Sequence, residues 1–210
     1  MSERVNTTEL RIILVRHGIT EWNVAGRMQG QTDVPLSLEG LRQAEIVAQR
    51  LARESIAAVY SSDLSRALVT AEAIAVHHRH SVIASPLLRE YGLGDWEGMT
   101  EAEIIQSGDE ELLRNYRGDP VRHRPRSGES LDAIWNRILA VRDEIRSVHV
   151  GCTAVVVGHG GSLKVFIADA LGTGYEGVRR FTLDNASLSV IEYHGERAFL
   201  RSVNDTGHLR

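Results

Sequence analysis

Apolar positions in this chain fall into two patterns. LRIILV at residues 10–15 and CTAVVV at 152–157 run with little polar alternation, which predicts strands buried on both faces. AAVYSS at 57–62 and SVIA at 81–84 predict two more strands. Between them the spacing changes to that of helices. Ser37 opens SLEGLRQAEIVAQRLARE, which places Leu38, Leu41, Ala44, Ala48 and Leu51 on one face. Ser62 or Asp63 caps a helix striped by Leu64, Ala67, Leu68, Ala71, Ile74 and Ala75. Ser130 opens a long helix with Leu131, Ile134, Ile138, Val141, Ile145 and Val148 inward, and another helix spans about 161–171. Residues 187–203 alternate around His194-Gly195 as a hairpin.

Strands alternating with helices predict an α/β fold: a three-layer α/β/α sandwich with a mostly parallel sheet and one antiparallel element near the C-terminus. No repeat or linker interrupts residues 1–210, so one domain is expected. Residues 85–99 are glycine-rich and irregular, and 100–128, short helices with a basic loop, are expected to cap the site. In such folds ligands sit beyond the carboxyl ends of the parallel strands.

Composition narrows the classes. The 210 residues carry a net charge of −4, with 42% hydrophobic positions, ordinary for a soluble chain able to bury a core. That balance argues against nucleic acid or an anionic membrane as partner, since both need a basic face. Lys164 is the only lysine; every other cation is an arginine, whose planar fork suits phosphate or carboxylate. The single Cys152 excludes an internal disulfide framework and fits a reducing compartment. The first eleven residues do not read as a secretory leader, and no apolar run approaches the roughly 18 residues needed to span a bilayer, so a cytoplasmic location is expected. The hairpin at the sheet edge leaves a homodimer open.

Chemistry concentrates where strands end. Arg16-His17-Gly18 follows the first strand and Gly158-His159-Gly160-Gly161 follows the strand at 152–157, so two histidines leave one sheet edge if both strands run parallel. Glycines let backbone N–H groups approach a ligand, and the helix beginning near 161 points its positive end there. Arg66, in the first turn after the second strand, and Glu90, after the third, project to the same edge. Two arginines, two histidines and a carboxylate suit a phosphate monoester. His77-His78-Arg79-His80 lacks nearby carboxylates and reads as solvent-facing rather than metal-binding. RHRPR at 122–126 reads first as an exposed loop, and alternatively as a cation source for a substrate's far end.

Other phosphate machinery fails on spacing. Six residues after Cys152 stands Gly158, where a cysteine phosphatase needs arginine. No Asp-x-Asp pair occurs, Lys164 is not preceded by glycine as in a P-loop, and there is no Gly-x-Ser-x-Gly elbow. A histidine nucleophile remains.

LVRHGITEWN, with RMQGQTDVPLSLEGLRQA, VYSSDLSRALVTAE, LREYGLGDWEGMT, SGES, VVGHGG and NDTGHL in this order, resembles the histidine phosphatase superfamily, which includes the cofactor-dependent phosphoglycerate mutases. The resemblance covers almost the whole chain and implies a phosphoglycerate mutase-like fold. It implies that His17 is the phosphorylated residue, His159 its charge-donating companion and Glu90 the proton donor and acceptor. Arg16 and Arg66 would bind phosphoryl oxygens, Asn23 and Gln29 would line the pocket, and backbone at Gly18 and Gly160 would help. Ile19 stands where many relatives have glutamate or glutamine.

The implied activity is hydrolysis of a small phosphorylated metabolite with neither metal nor cofactor. EYGLGDWEGMT after Glu90 lacks the lysine of the mutases and is similar to the phosphatase branch, which includes broad-specificity and α-ribazole-phosphate phosphatases. A phosphoglycerate mutase is the first alternative, and a non-catalytic phospholigand-binding module the second. Asp95 and Glu97 rival Glu90 as the acid. Arg114, Arg117, Arg122, Arg124 and Arg126 hint at an anionic substrate tail.

Overall fold

A computed structural model describes residues 10–210. The expectation about a leader falls largely on residues 1–9, outside the described residues. Six strands form one sheet in the order β3-β2-β4-β1-β5-β6. They are β1 (Leu10–Arg16), β2 (Ala58–Ser62), β3 (Val82–Ser85), β4 (Cys152–Gly158), β5 (Leu188–His194) and β6 (Arg197–Asp205). β3, β2, β4 and β1 pair in parallel. Only β5 runs against the rest, between β1 and β6.

Among the described residues eight α-helices accompany the sheet: α1 (Glu21–Val24), α2 (Leu38–Leu51), α3 (Ser65–His78), α4 (Glu101–Ile104), α5 (Glu110–Gly118), α6 (Leu131–Val148), α7 (Gly160–Ala170) and α8 (Gly174–Gly177). The unbroken apolar runs explain the layering. In β1, Leu10, Ile12 and Leu14 pack with Ile134, Ile138 and Val141 of α6 and Leu163 and Phe166 of α7. Ile13 and Val15 point the other way, onto Val47, Ala48 and Leu51 of α2 and Ala67, Ala71 and Ile74 of α3. In β4, Ala154 and Val156 join the first layer, Val155 and Val157 the second. Side chains alternate in a strand, so both central strands need apolar residues at every position.

Several local readings shift. In α2 the inward face is Gly40, Ala44, Val47, Ala48 and Leu51, while Leu38 and Leu41 are exposed. The reason is a backbone contact: Gly40 packs so closely on the β1–α1 loop that a Cβ there would lie 2.0 Å from the Ile19 carbonyl oxygen. That contact turns Gly40, not its leucine neighbours, inward. Val148 is exposed because it closes α6 at the helix end. Neither Ser62 nor Asp63 is the N-cap of α3; Leu64 holds that position without a side-chain cap, and Asp33 accepts from the Ser65 amide at 2.8 Å. Asp63 is instead held by Arg89 through two hydrogen bonds of 2.7 and 2.6 Å. Residues 100–128 form α4, a π-helical turn at Ile105–Asp109 and α5. Trp96, Ile104 and Leu113 give this segment a small core of its own.

Candidate active site

The β1–β4 register does most of the assembly. Arg16 pairs with Gly158, so His17 and His159 leave neighbouring strands side by side. The His17 amide donates to the Gly158 carbonyl at 3.0 Å, and the imidazole centroids lie 5.0 Å apart, edge to face. Both rings are buried. His17 Nδ1 lies 2.7 Å from the Gly18 carbonyl oxygen. A carbonyl only accepts, so Nδ1 carries the proton and the Nε2 lone pair is available. Burial chiefly, then Arg16 and Arg66, holds the His17 pKa well below 6.5. The arginines act in the direction their charge implies, but desolvation is the larger cause.

Gly18 serves the ring rather than the cavity wall. Its amide bonds to Thr70 Oγ1 at 3.3 Å, and a Cβ here would lie 2.4 Å from the Gly40 carbonyl oxygen. Gly160 lies against the Arg16 guanidinium, a Cβ there reaching 3.6 Å from Arg16 Cζ.

Arg66 is almost fully buried at the start of α3. It donates to the Gly30 and Thr32 carbonyls at 2.8 Å each, and through Nε to His159 Nδ1 at 3.2 Å. Because Nδ1 accepts, the neutral His159 ring carries its proton on Nε2. Burial, followed by His17 and the arginines, keeps that ring neutral. His159 Nε2 and Arg16 Nε are buried donors without a protein acceptor among the described residues. An oxyanion at this edge would satisfy both.

Glu90 occupies a position the sequence reading had reserved for phosphate. Its carboxylate accepts from the amides of Tyr91 (2.9 Å), Gly161 (2.9 Å) and Ser162 (3.1 Å), so it caps the N-terminus of α7. Arg137 braces this loop, donating to the Leu87, Arg89 and Glu90 carbonyls while paired with Glu129. Glu97 is a clamp: its carboxylate accepts from the Gln31, Thr32 and Leu93 amides. Asp95 is exposed. Of these three acids Glu90 alone lines the cavity.

That cavity, about 360 Å³, is walled by Arg16, His17, Asn23, Gln29, Arg66 and Glu90 among others. Asn23 is fixed by a reciprocal cap with Thr20 and by Asn185 Nδ2 at 3.2 Å; Gln29 Oε1 accepts from Thr20 Oγ1 at 2.9 Å. Of the arginines at 114–126, Arg117 alone reaches the wall.

Residues 12–206 match the family model described as histidine phosphatase superfamily, branch 1. The chain belongs to that superfamily. It is 36% identical to phosphoserine phosphatase 1 of Hydrogenobacter thermophilus over 200 residues, 95% of this chain and 94% of that one. It is 38% identical to the probable phosphoglycerate mutase GpmB of Photorhabdus laumondii over 184 residues, 88% and 85% of the two chains. Among solved structures, a mycobacterial glucosyl-3-phosphoglycerate phosphatase crystallised with VO3 superposes at a TM-score of 0.86 with 31% identity, covering 93% of this chain and 99% of that one. The α/β fold is thus that of the phosphoglycerate mutase-like histidine phosphatases.

Sequence reasoning did not assign Lys164, Tyr91, Asn185 or Arg179 to this histidine phosphatase site. Asn185 Nδ2 donates to the His17 carbonyl at 3.1 Å, and the other three line the cavity. The uniqueness of Lys164 among the cations was a usable signal; the others sit in irregular segments with no period to single them out. No helix among the described residues is long and apolar enough to cross a membrane.

Two neutral buried imidazoles carry a stability consequence. Both folded pKa values lie below the unfolded 6.5, so between them the unfolded state binds protons that the folded state does not. Stability therefore rises with pH in that window and falls as pH drops below 6.5, by up to about 1.4 kcal/mol per pH unit for each ring. Urea midpoints measured at pH 7.5 and 5.5 should differ, and by less when His17 and His159 are both replaced by glutamine. An identical drop in that double variant would assign the pH dependence to other groups.

Proposed function

We propose that this chain hydrolyses phosphomonoesters of small metabolites through a phosphohistidine at His17, without a metal ion. The observation that carries the reading is the His17 Nε2 lone pair, its tautomer fixed by the Gly18 carbonyl, beside the unpartnered donors His159 Nε2 and Arg16 Nε. Nε2 attacks phosphorus as the ester oxygen departs. Arg16, Arg66 and His159 donate to the equatorial oxygens, a preorganised positive field worth on the order of 3 kcal/mol per donor. The charges of the two guanidinium groups serve the role that a divalent cation takes in metal-dependent phosphatases.

Glu90 is the proton carrier. Its carboxyl group, which lines the cavity, delivers a proton to the leaving oxygen. Ionised afterwards, it takes a proton from the water that attacks the phosphohistidine. Asn23 and Gln29 complete the polar wall. The relative complexed with VO3, a phosphate-like oxyanion, supports this reading.

The test is phosphate release from p-nitrophenyl phosphate. Turnover should be unchanged by EDTA, and quenching in alkaline detergent during turnover of labelled substrate should leave alkali-stable, acid-labile label on His17. Loss of activity in EDTA with restoration by added metal would refute metal independence; turnover without label on His17 would refute the nucleophile. Because one relative is named as a probable mutase, phosphoglycerate interconversion in the same preparation decides whether water or a second hydroxyl is the acceptor.

A further inference from the structure

Four cations beyond the phosphoryl arginines reach the cavity wall: Arg27, Arg117, Lys164 and Arg179. Two arrive already neutralised. Arg27 is held by Glu103 at 2.7 and 3.2 Å, and Arg117 by Glu101 at 2.6 Å twice. Lys164 and Arg179 form no ion pair with a carboxylate among the described residues. Lys164 stands one turn after Gly161 on the same face of α7 and is half-buried. Arg179 follows α8 and is anchored over the cavity by donating to the Arg117 carbonyl at 2.9 Å.

Holding a half-buried ammonium without a counter-ion is costly, and burial lowers the Lys164 pKa despite the opposing field of Glu90. The phosphoryl chemistry uses neither Lys164 nor Arg179, so both cations on the wall are left for another group of the ligand.

The geometry points to a second anion subsite at Lys164 and Arg179, which, on the reading that His17 takes the phosphoryl group, selects phosphomonoesters bearing a carboxylate or a second phosphate on the same small molecule. A neutral alcohol phosphate leaves this subsite empty of charge and binds less tightly.

Three compounds of one chain length test it: 3-hydroxypropyl phosphate, 3-(phosphonooxy)propanoate and propane-1,3-diyl bisphosphate. Binding is measured by titration calorimetry on the His17→Ala protein, so the readout does not depend on turnover. At least one of the two compounds bearing a second anionic group should bind about tenfold or more tighter than the hydroxyl compound, as expected for charge-assisted hydrogen bonds. Adding Lys164→Met and Arg179→Gln should bring that excess below about threefold. The larger excess names the second anion as carboxylate or phosphate. Equal binding of all three, or an excess that survives both substitutions, overturns the subsite. Arg179→Gln alone, at an exposed position, should reduce the excess and keeps the test decisive if the multiple variant does not fold. Phosphate release from p-nitrophenyl phosphate by the unaltered chain is scored separately: its absence removes the phosphatase reading, while the binding comparison still decides the subsite.

Discussion

His17→Ala is expected to lower turnover of p-nitrophenyl phosphate by about 10⁵-fold or more, the scale on which removing a covalent nucleophile acts. No neighbour can take over. His159 Nδ1 is engaged by Arg66 Nε, so its remaining nitrogen is a donor and has no lone pair to offer phosphorus. The donors around the phosphoryl group stay in place, because Arg16 and Arg66 are anchored to the Leu183, Gly30 and Thr32 carbonyls rather than to His17. The variant should therefore still bind orthophosphate while losing both the steady state and the acid-labile label. A variant that kept a tenth of the activity would dismiss the covalent route.

Arg66→Leu is the second large effect. It removes a guanidinium from the cavity, releases His159 Nδ1 and strands the buried Gly30 carbonyl, whereas the Thr32 carbonyl keeps the Val34 amide at 3.1 Å. Loss of one preorganised donor costs about 10²–10³ in rate. Without the Arg66 Nε bond, His159 is free to adopt the tautomer that presents a lone pair to the oxyanion, so a drop in kcat/KM of about 10³ or more is expected. The stranded Gly30 carbonyl adds about 1–3 kcal/mol of destabilisation, visible as a lower urea midpoint. Arg66→Lys keeps the charge but loses the fork, so it should recover stability only in part and rate less still. A full rate in Arg66→Lys would mean that charge alone suffices and the fork geometry is immaterial.

How much of this could be read beforehand depends on how each group is held. β1 and β4 were legible because burial on both faces demands an apolar residue at every position. The groups that follow them, Arg16, His17 and His159, were legible because the chain leaves a buried strand at a predictable edge. Arg66 and Glu90 needed only the next level of topology. The face of α2 was misread because Gly40 looks neutral in a hydrophobic pattern, although its missing side chain is what brings the helix against the Ile19 backbone. The N-terminus of α7 was expected to meet phosphate directly. A carboxylate 71 residues away along the chain occupies its Gly161 amide instead, and no local pattern encodes such a partner. Lys164 was hidden for a different reason: one lysine in an amphipathic helix resembles a solvated position, and only the packing of α8 and the Arg179 segment makes it part of a wall.

The pairing of Arg16 with Gly158 has a bearing on how this protein fails. The two imidazoles sit on separate segments more than a hundred residues apart in sequence, brought together by a shared ladder in the middle of the sheet. Neither half of the polypeptide carries a working fragment of the reaction centre. Loss of activity on unfolding is accordingly expected to track loss of the central β1–β4 ladder.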